Sequence, residues 1–138
     1  QSKLKKSIVF ITHDFHEALR LADRMAIMRD GRIVQIGRPV DLILNPVDDY
    51  IREFTLDVPW ETILTAADIA EPSDEPLEGL GRVSEDTLIE KLLHYLGGSD
   101  RGVVVEAKDG SVLGVATARG VVKALAVGSG PDTSSVKI

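Results

Sequence analysis

Asp30-Gly31 sits between two short apolar runs, Met25–Met28 and Ile33–Ile36, and no other stretch constrains the fold as tightly. A two-residue Asp-Gly connection supplies the positive-φ residues that a tight hairpin turn needs, so the two runs pair antiparallel. Upstream, Ser7–Thr12 is β-branched and aromatic with no helical period, which predicts a buried strand. Asp14 then stands where an N-cap belongs. The helix it opens runs through Ala22, with Phe15, Ala18, Leu19 and Ala22 at spacings of three and four. Gly37-Arg38-Pro39 starts a short helix, Val40–Leu44, that stops at Asn45-Pro46. Asp48-Asp49 puts negative charge at the start of the next helix, Tyr50–Leu56, where the helix dipole favours it.

Pro59 marks a boundary, followed by Trp60 and a short helical stretch to Ile69. Residues 72–81 read as loop, with two prolines and two glycines. A compact unit follows. Arg82-Val83 is extended, and Ser84 reads as an N-cap with Glu85 and Asp86 in the first turn. Leu88, Ile89, Leu92, Leu93 and Leu96 form one apolar stripe, ended by Gly97-Gly98. Gly102–Ala107 and Val112–Ala116 read as strands joined by the turn Lys108-Asp109-Gly110, and Arg119–Ala126 as a closing helix. The tail from Gly128 is rich in Gly, Ser, Thr and Pro and is expected to be disordered. The fold class is therefore α/β in the α+β sense. Its expected units are residues 1–57, 58–127 and a flexible tail, 128–138.

Charge separates the two halves. Residues 1–58 hold nine basic and nine acidic side chains, whereas residues 59–138 hold seven basic and thirteen acidic, so the net charge of −6 lies in the second part. Asp68, Glu71, Asp74, Glu75 and Glu78 crowd one stretch, with Arg82, Arg101 and Lys123 as candidate partners. Such a surface repels nucleic acid and anionic lipid, and neither is expected as a partner. The absence of cysteine excludes disulfides and thiolate metal sites. No apolar run reaches the roughly 18 residues of a membrane span, so no direct membrane insertion is expected. No secretory leader pattern is visible, which suits a cytoplasmic protein.

The candidate chemistry lies at Thr12-His13-Asp14. A strand, this tripeptide, a helix, then "RDGRIVQIG" and "PVDLILNPVDDYIREF" resemble in order and wording the C-terminal end of an ABC-transporter ATPase subunit, in particular the glycine betaine/proline (quaternary amine) uptake group. The resemblance covers residues 1–57 and the switch-histidine region. It implies that in the complete subunit, with ATP and Mg²⁺, His13 contacts the γ-phosphate and helps position the attacking water. Asp14 is read as the helix cap. The chain contains no G-x-x-x-x-G-K-[ST] loop, no glycine-rich signature motif and no acidic pair ending a strand before Thr12. It is therefore expected to be a C-terminal fragment without ATPase activity of its own. Without neighbours for the strand Ile8–Ile11, residues 1–35 are expected to pack abnormally, swap between chains or move freely. Metal binding by His13 and His16 is a weaker reading, and no metal site is expected.

Residues 82–126 resemble a CBS motif: "VSEDTLIEKLLHYL" is its first helix, "RGVVVEAKDGSVLGVAT" its hairpin and "ARGVVKAL" its last helix. Such motifs work in pairs, which implies a two-fold homodimer acting as a regulatory sensing module. Adenine nucleotide or a cyclic dinucleotide is the ligand class implied, with Thr117 as a phosphate contact. Gly120 stands where many such motifs carry an acid for the ribose. The resemblance also implies a membrane-subunit partner and a place at the inner face of the cell membrane. The alternative reading is a free-standing CBS-type ligand-binding protein with an N-terminal docking arm.

Overall fold

A computed structural model describes residues 6–128. The fold is mixed α and β, with one two-stranded and one three-stranded sheet. The Asp-Gly turn does what its chemistry requires. β1 (Met25–Arg29) and β2 (Arg32–Gly37) pair antiparallel, with Asp30 and Gly31 both at positive φ. α1 (Phe15–Leu21) precedes this hairpin, and α2 (Pro39–Leu44) and α3 (Asp49–Thr55) follow it. Pro39 occupies the first turn of α2, where a missing N–H costs nothing. Asp48 caps α3, its Oδ1 accepting from the Ile51 N–H at 2.9 Å. Gln35 ties the α2–α3 connection to the hairpin with both ends of its amide. Its Nε2 donates to the Asn45 carbonyl, and its Oε1 accepts from the Val47 N–H.

A 3-10 turn, Trp60–Thr62, and α4 (Ala66–Ile69) lead into the second half. There β3 (Arg82–Ser84), β4 (Val103–Glu106) and β5 (Val112–Ala116) form the order β3-β4-β5. β3 pairs parallel with β4, and β5 antiparallel with β4. The parallel pair needs a crossover, which α5 (Ile89–Leu96) provides. α6 (Ala118–Gly128) closes the unit, and the expected tail beyond it lies outside the described residues.

Two expectations are corrected. Ser7–Thr12 is not a strand: it pairs with nothing among the described residues, and Ile8, Val9 and Ile11 are 81, 91 and 94% exposed. A lone strand cannot satisfy its backbone or bury two faces, whatever its propensity. Ser84 is not an N-cap either. It ends β3, its hydroxyl donates to Asp86, and the helix starts five residues later with Leu88 in the cap position. Residues 87–89 are instead held by the segment that enters α4, through Ala66 N–H to the Thr87 carbonyl and Ile89 N–H to the Leu64 carbonyl.

Among the described residues three apolar clusters make the core. The largest runs from Leu64 to Val121 and contains Ile89, Leu92 and Val105, all fully buried. A second holds Leu19, Ile43 and Val58, and a third Ile27, Leu42 and Ile51. α2 contributes to all three: Leu42 to the third, Ile43 to the second, and Val40 and Leu44 to the flank of the first.

The β5 edge carries one further pairing. Glu71 and Val115 exchange both backbone hydrogen bonds, at 3.1 and 2.8 Å. Gly114 makes this possible, because a Cβ there would lie 2.5 Å from the Glu71 carbonyl oxygen. Gly114→Ala is expected to destabilise the protein by about 1–3 kcal/mol. It should also free the Glu71 and Val115 amides to exchange, which denaturant melts and hydrogen exchange would read together.

Lys123 donates to the Glu71 carboxylate at 2.8 Å, and this hydrogen bond holds the Glu71 carboxyl below its ordinary range. A depressed carboxyl pKa adds stability above the unfolded value of 4.5 and loses it as pH falls through the lower folded value. Glu71→Gln should therefore flatten the loss of stability below about pH 4.5. Urea midpoints measured across that range for both proteins would check this.

Candidate functional site

The tripeptide Thr12-His13-Asp14 is shaped by its own short-range hydrogen bonds. Asp14 Oδ1 accepts from the Glu17 N–H at 3.0 Å and caps α1. Thr12 Oγ1 accepts from the Asp14 N–H at 2.9 Å and donates to Glu17 Oε2 at 3.4 Å. Both neighbours of His13 are thus fixed, while His13 itself is exposed and its imidazole has no hydrogen-bond partner among the described residues. An imidazole presented this way can donate to or accept from a group outside the chain. Glu17, which the sequence offers with His13, Asp14 and His16 as a possible metal cluster, joins this arrangement instead through Thr12 and the cap, and Asp14-x-x-Glu17 has the spacing of a capping box.

His16 turns elsewhere. Its Nε2 lies 3.2 Å from the Asp57 carbonyl oxygen, fastening α1 to the segment after α3. Among the described residues no group of three His, Asp or Glu side chains is placed to hold a metal ion.

Thr117 lies in the second half. Its Oγ1 accepts from the Gly120 N–H at 3.0 Å at the start of α6, leaving its own O–H proton available to donate. Gly120 is buried, and a Cβ there would lie 3.4 Å from both the Ile69 carbonyl oxygen and Thr117 Oγ1. A side chain at this position would meet the Ile69 carbonyl oxygen and Thr117 Oγ1 at van der Waals distance. No hydrogen bond joins His13 to Thr117 among the described residues.

The acidic stretch is held by specific cations. Glu71 pairs with Lys123, and Arg101 reaches both Glu75, at 3.8 Å, and the Pro76 carbonyl. Arg82 pairs with Glu106 on the neighbouring strand, not with the acids of 68–78. Asp68 is occupied locally, accepting from the Thr65 N–H and hydroxyl at the start of α4. An open pocket of about 210 Å³ lies between Pro72, Ser73, Leu77 and the β5 segment Val112–Val115, and it includes neither Thr117 nor His13.

Comparison with known proteins gives this geometry its context. The chain is 44% identical over 115 residues to the trimethylamine N-oxide transport system ATP-binding protein TmoW of Pelagibacter ubique, covering 83% of this chain and 33% of that protein. It is 36% identical over 126 residues to TmoW of Ruegeria pomeroyi, covering 91% of this chain and 36% of that protein. It is 50% identical over 64 residues to the glycine betaine transport ATP-binding protein OpuAA of Bacillus subtilis, covering 46% of this chain and 15% of that protein. Its relatives are transport ATP-binding proteins. The chain spans about a third of the length of the two TmoW proteins. No family model and no solved structure matches it.

The roles of Asp14 and His13 separate experimentally. Asp14→Ala should cost about 1 kcal/mol by removing the cap of α1. His13→Ala, which removes no hydrogen bond within the described residues, should leave the denaturant midpoint unchanged. Parallel urea melts of the two variants provide the test.

Proposed function

We propose that this chain is the C-terminal part of the ATP-hydrolysing subunit of an ABC importer for quaternary or related methylated amines. The observation that carries this reading is the similarity to the two TmoW proteins, which extends over both halves of the chain. In this reading residues 1–57 end the ATPase domain, and His13 is the switch histidine of the complete, ATP- and Mg²⁺-loaded subunit. The exposed imidazole, without a partner among the described residues and set between two fixed neighbours, supports that role. An imidazole there stabilises charge as it accumulates on the terminal phosphate. The apolar run Ile8–Ile11 is then a strand whose neighbours belong to the rest of the ATPase sheet. In open α/β sheets ligands gather beyond the strand C-termini, where His13 follows such a strand. The fragment alone does not hydrolyse ATP, because its sequence lacks the phosphate loop.

Residues 58–127 form, in the same reading, a CBS-like regulatory unit that pairs with a second copy. The parallel β3–α5–β4 unit, the β4–β5 hairpin and the closing α6 support that comparison. Thr117 is the candidate contact for an adenine nucleotide or cyclic dinucleotide, through the hydroxyl proton its cap bond leaves available. The subunit works against a membrane partner at the cytoplasmic face. No helix among the described residues is long and apolar enough to cross a membrane. The cargo is a methylated amine: trimethylamine N-oxide and glycine betaine are named for the relatives above, and choline for another from Bacillus subtilis.

His13→Ala in the complete subunit, assembled with its membrane partner, is expected to lower ATP hydrolysis by about 10²-fold or more while nucleotide binding persists. Steady-state phosphate release and nucleotide titration test both halves of that statement. Unchanged hydrolysis would remove the switch role.

A further inference from the structure

We infer that Trp60 and α2 form a mechanical joint that transmits the packing state of the C-terminal unit to α1, the helix that follows His13. The three clusters are not independent. Trp60 packs against both the large C-terminal cluster and the cluster containing Leu19 of α1. α2 reaches the same two clusters, with Val40 and Leu44 on one and Ile43 in the other. α1 is short and packs on this cluster through Leu19, its one buried residue, and through Phe15, which also reaches the third cluster, and the His16 link to the Asp57 carbonyl ends three residues before Trp60. A seven-residue helix has little stability of its own, so its order follows the surface it packs on.

The joint is also incompletely filled. A pocket of about 220 Å³ lies there, lined from one side by Ile43, Thr55 and Leu56 and from the other by Leu64 and Ala124, with Trp60 between them. Close-packed interiors transmit displacement, so the unfilled pocket sets how tightly the two sides are coupled, and filling it tightens the coupling. α6 brings Ala124 to this pocket and Val121 into the large cluster, so movement of α6 reaches the seam that Trp60 borders. This coupling rests on the proposed function only for its consequence at His13, and the physical linkage can be measured without nucleotide.

The test is native-state hydrogen exchange on the 138-residue chain without denaturant, where short elements exchange by local opening. Ala124→Leu fills the pocket from the α6 side, and Trp60→Phe leaves it larger while keeping an aromatic ring at the position. In the structure the Ala18 and Ala22 amides donate to the carbonyls of Asp14 and Ala18. Their exchange should slow about threefold in Ala124→Leu and accelerate about threefold in Trp60→Phe, with the β1–β2 amides changing less. The chain has a single tryptophan, so the emission of Trp60 reports the joint directly in Ala124→Leu. Shifts of α1 that follow the C-terminal unit and exceed those of the hairpin support the joint. Unchanged α1 rates, or a uniform shift across every element, overturn it. ATPase assays on the complete subunit test the other reading and leave this result intact.

Discussion

The described part of this chain depends on six residues, Pro39–Leu44. α2 has no long amphipathic face, yet it sends Leu42 and Ile43 into two different clusters and lays Val40 and Leu44 against a third. Leu42 is fully buried and Ile43 nearly so. Each such burial is worth about 2 kcal/mol, and here it also joins pieces that could not stand alone. The second and third clusters each have three buried residues, well below what an independent core needs. The hairpin and α1 are ordered because α2 connects them to each other and, with Trp60, to the larger C-terminal core.

Local chemistry made much of this legible in the sequence. Asp30-Gly31 specified its turn, Asp14 its cap, and Asp48-Asp49 the start of α3, while the apolar stripe of α5 is buried at Ile89, Leu92 and Leu96 but leaves Leu93 44% exposed. What sequence patterns missed was decided by distant partners. Ser84 has the right residues after it for a cap, but Thr87 and Ile89 are engaged by Leu64 and Ala66, so the helix begins later. Ser7–Thr12 has the composition of a buried strand, but strand composition describes an environment, and none of the described residues supplies that environment. Gly114 looks in the sequence like an ordinary strand glycine. Its purpose becomes visible only with the Glu71 carbonyl lying where its side chain would be.

The candidate site shows the same division. The placement of His13 after an apolar run and before a capped helix is readable directly, and the structure adds that both its neighbours are fixed while its ring is unpartnered among the described residues. The fastening of His16 to Asp57 has no sequence signal, because it joins residues 41 apart. Thr117 shows how one hydroxyl serves two ends: its lone pair organises the start of α6, while its proton stays available.

The pairing of Glu71 with β5 has a consequence for the acidic stretch that follows. Glu71 lies at one edge of the C-terminal sheet and Arg82 begins β3 at the other, so the backbone order across the sheet is 71, β5, β4, β3. Three inter-strand steps span about 14 Å. The residues 72–81 that make this crossing could reach about 33 Å if extended. The crossing therefore has slack of more than half its contour, and its two ends, with the Arg101 contacts to Glu75 and the Pro76 carbonyl, locate it. Residues 72–81 act as a slack tether pinned at Glu75 and Pro76 and turned at Gly79, while the geometry of the sheet is fixed by Gly114 on one side and Val83 on the other, so its remaining exposed positions can set surface charge.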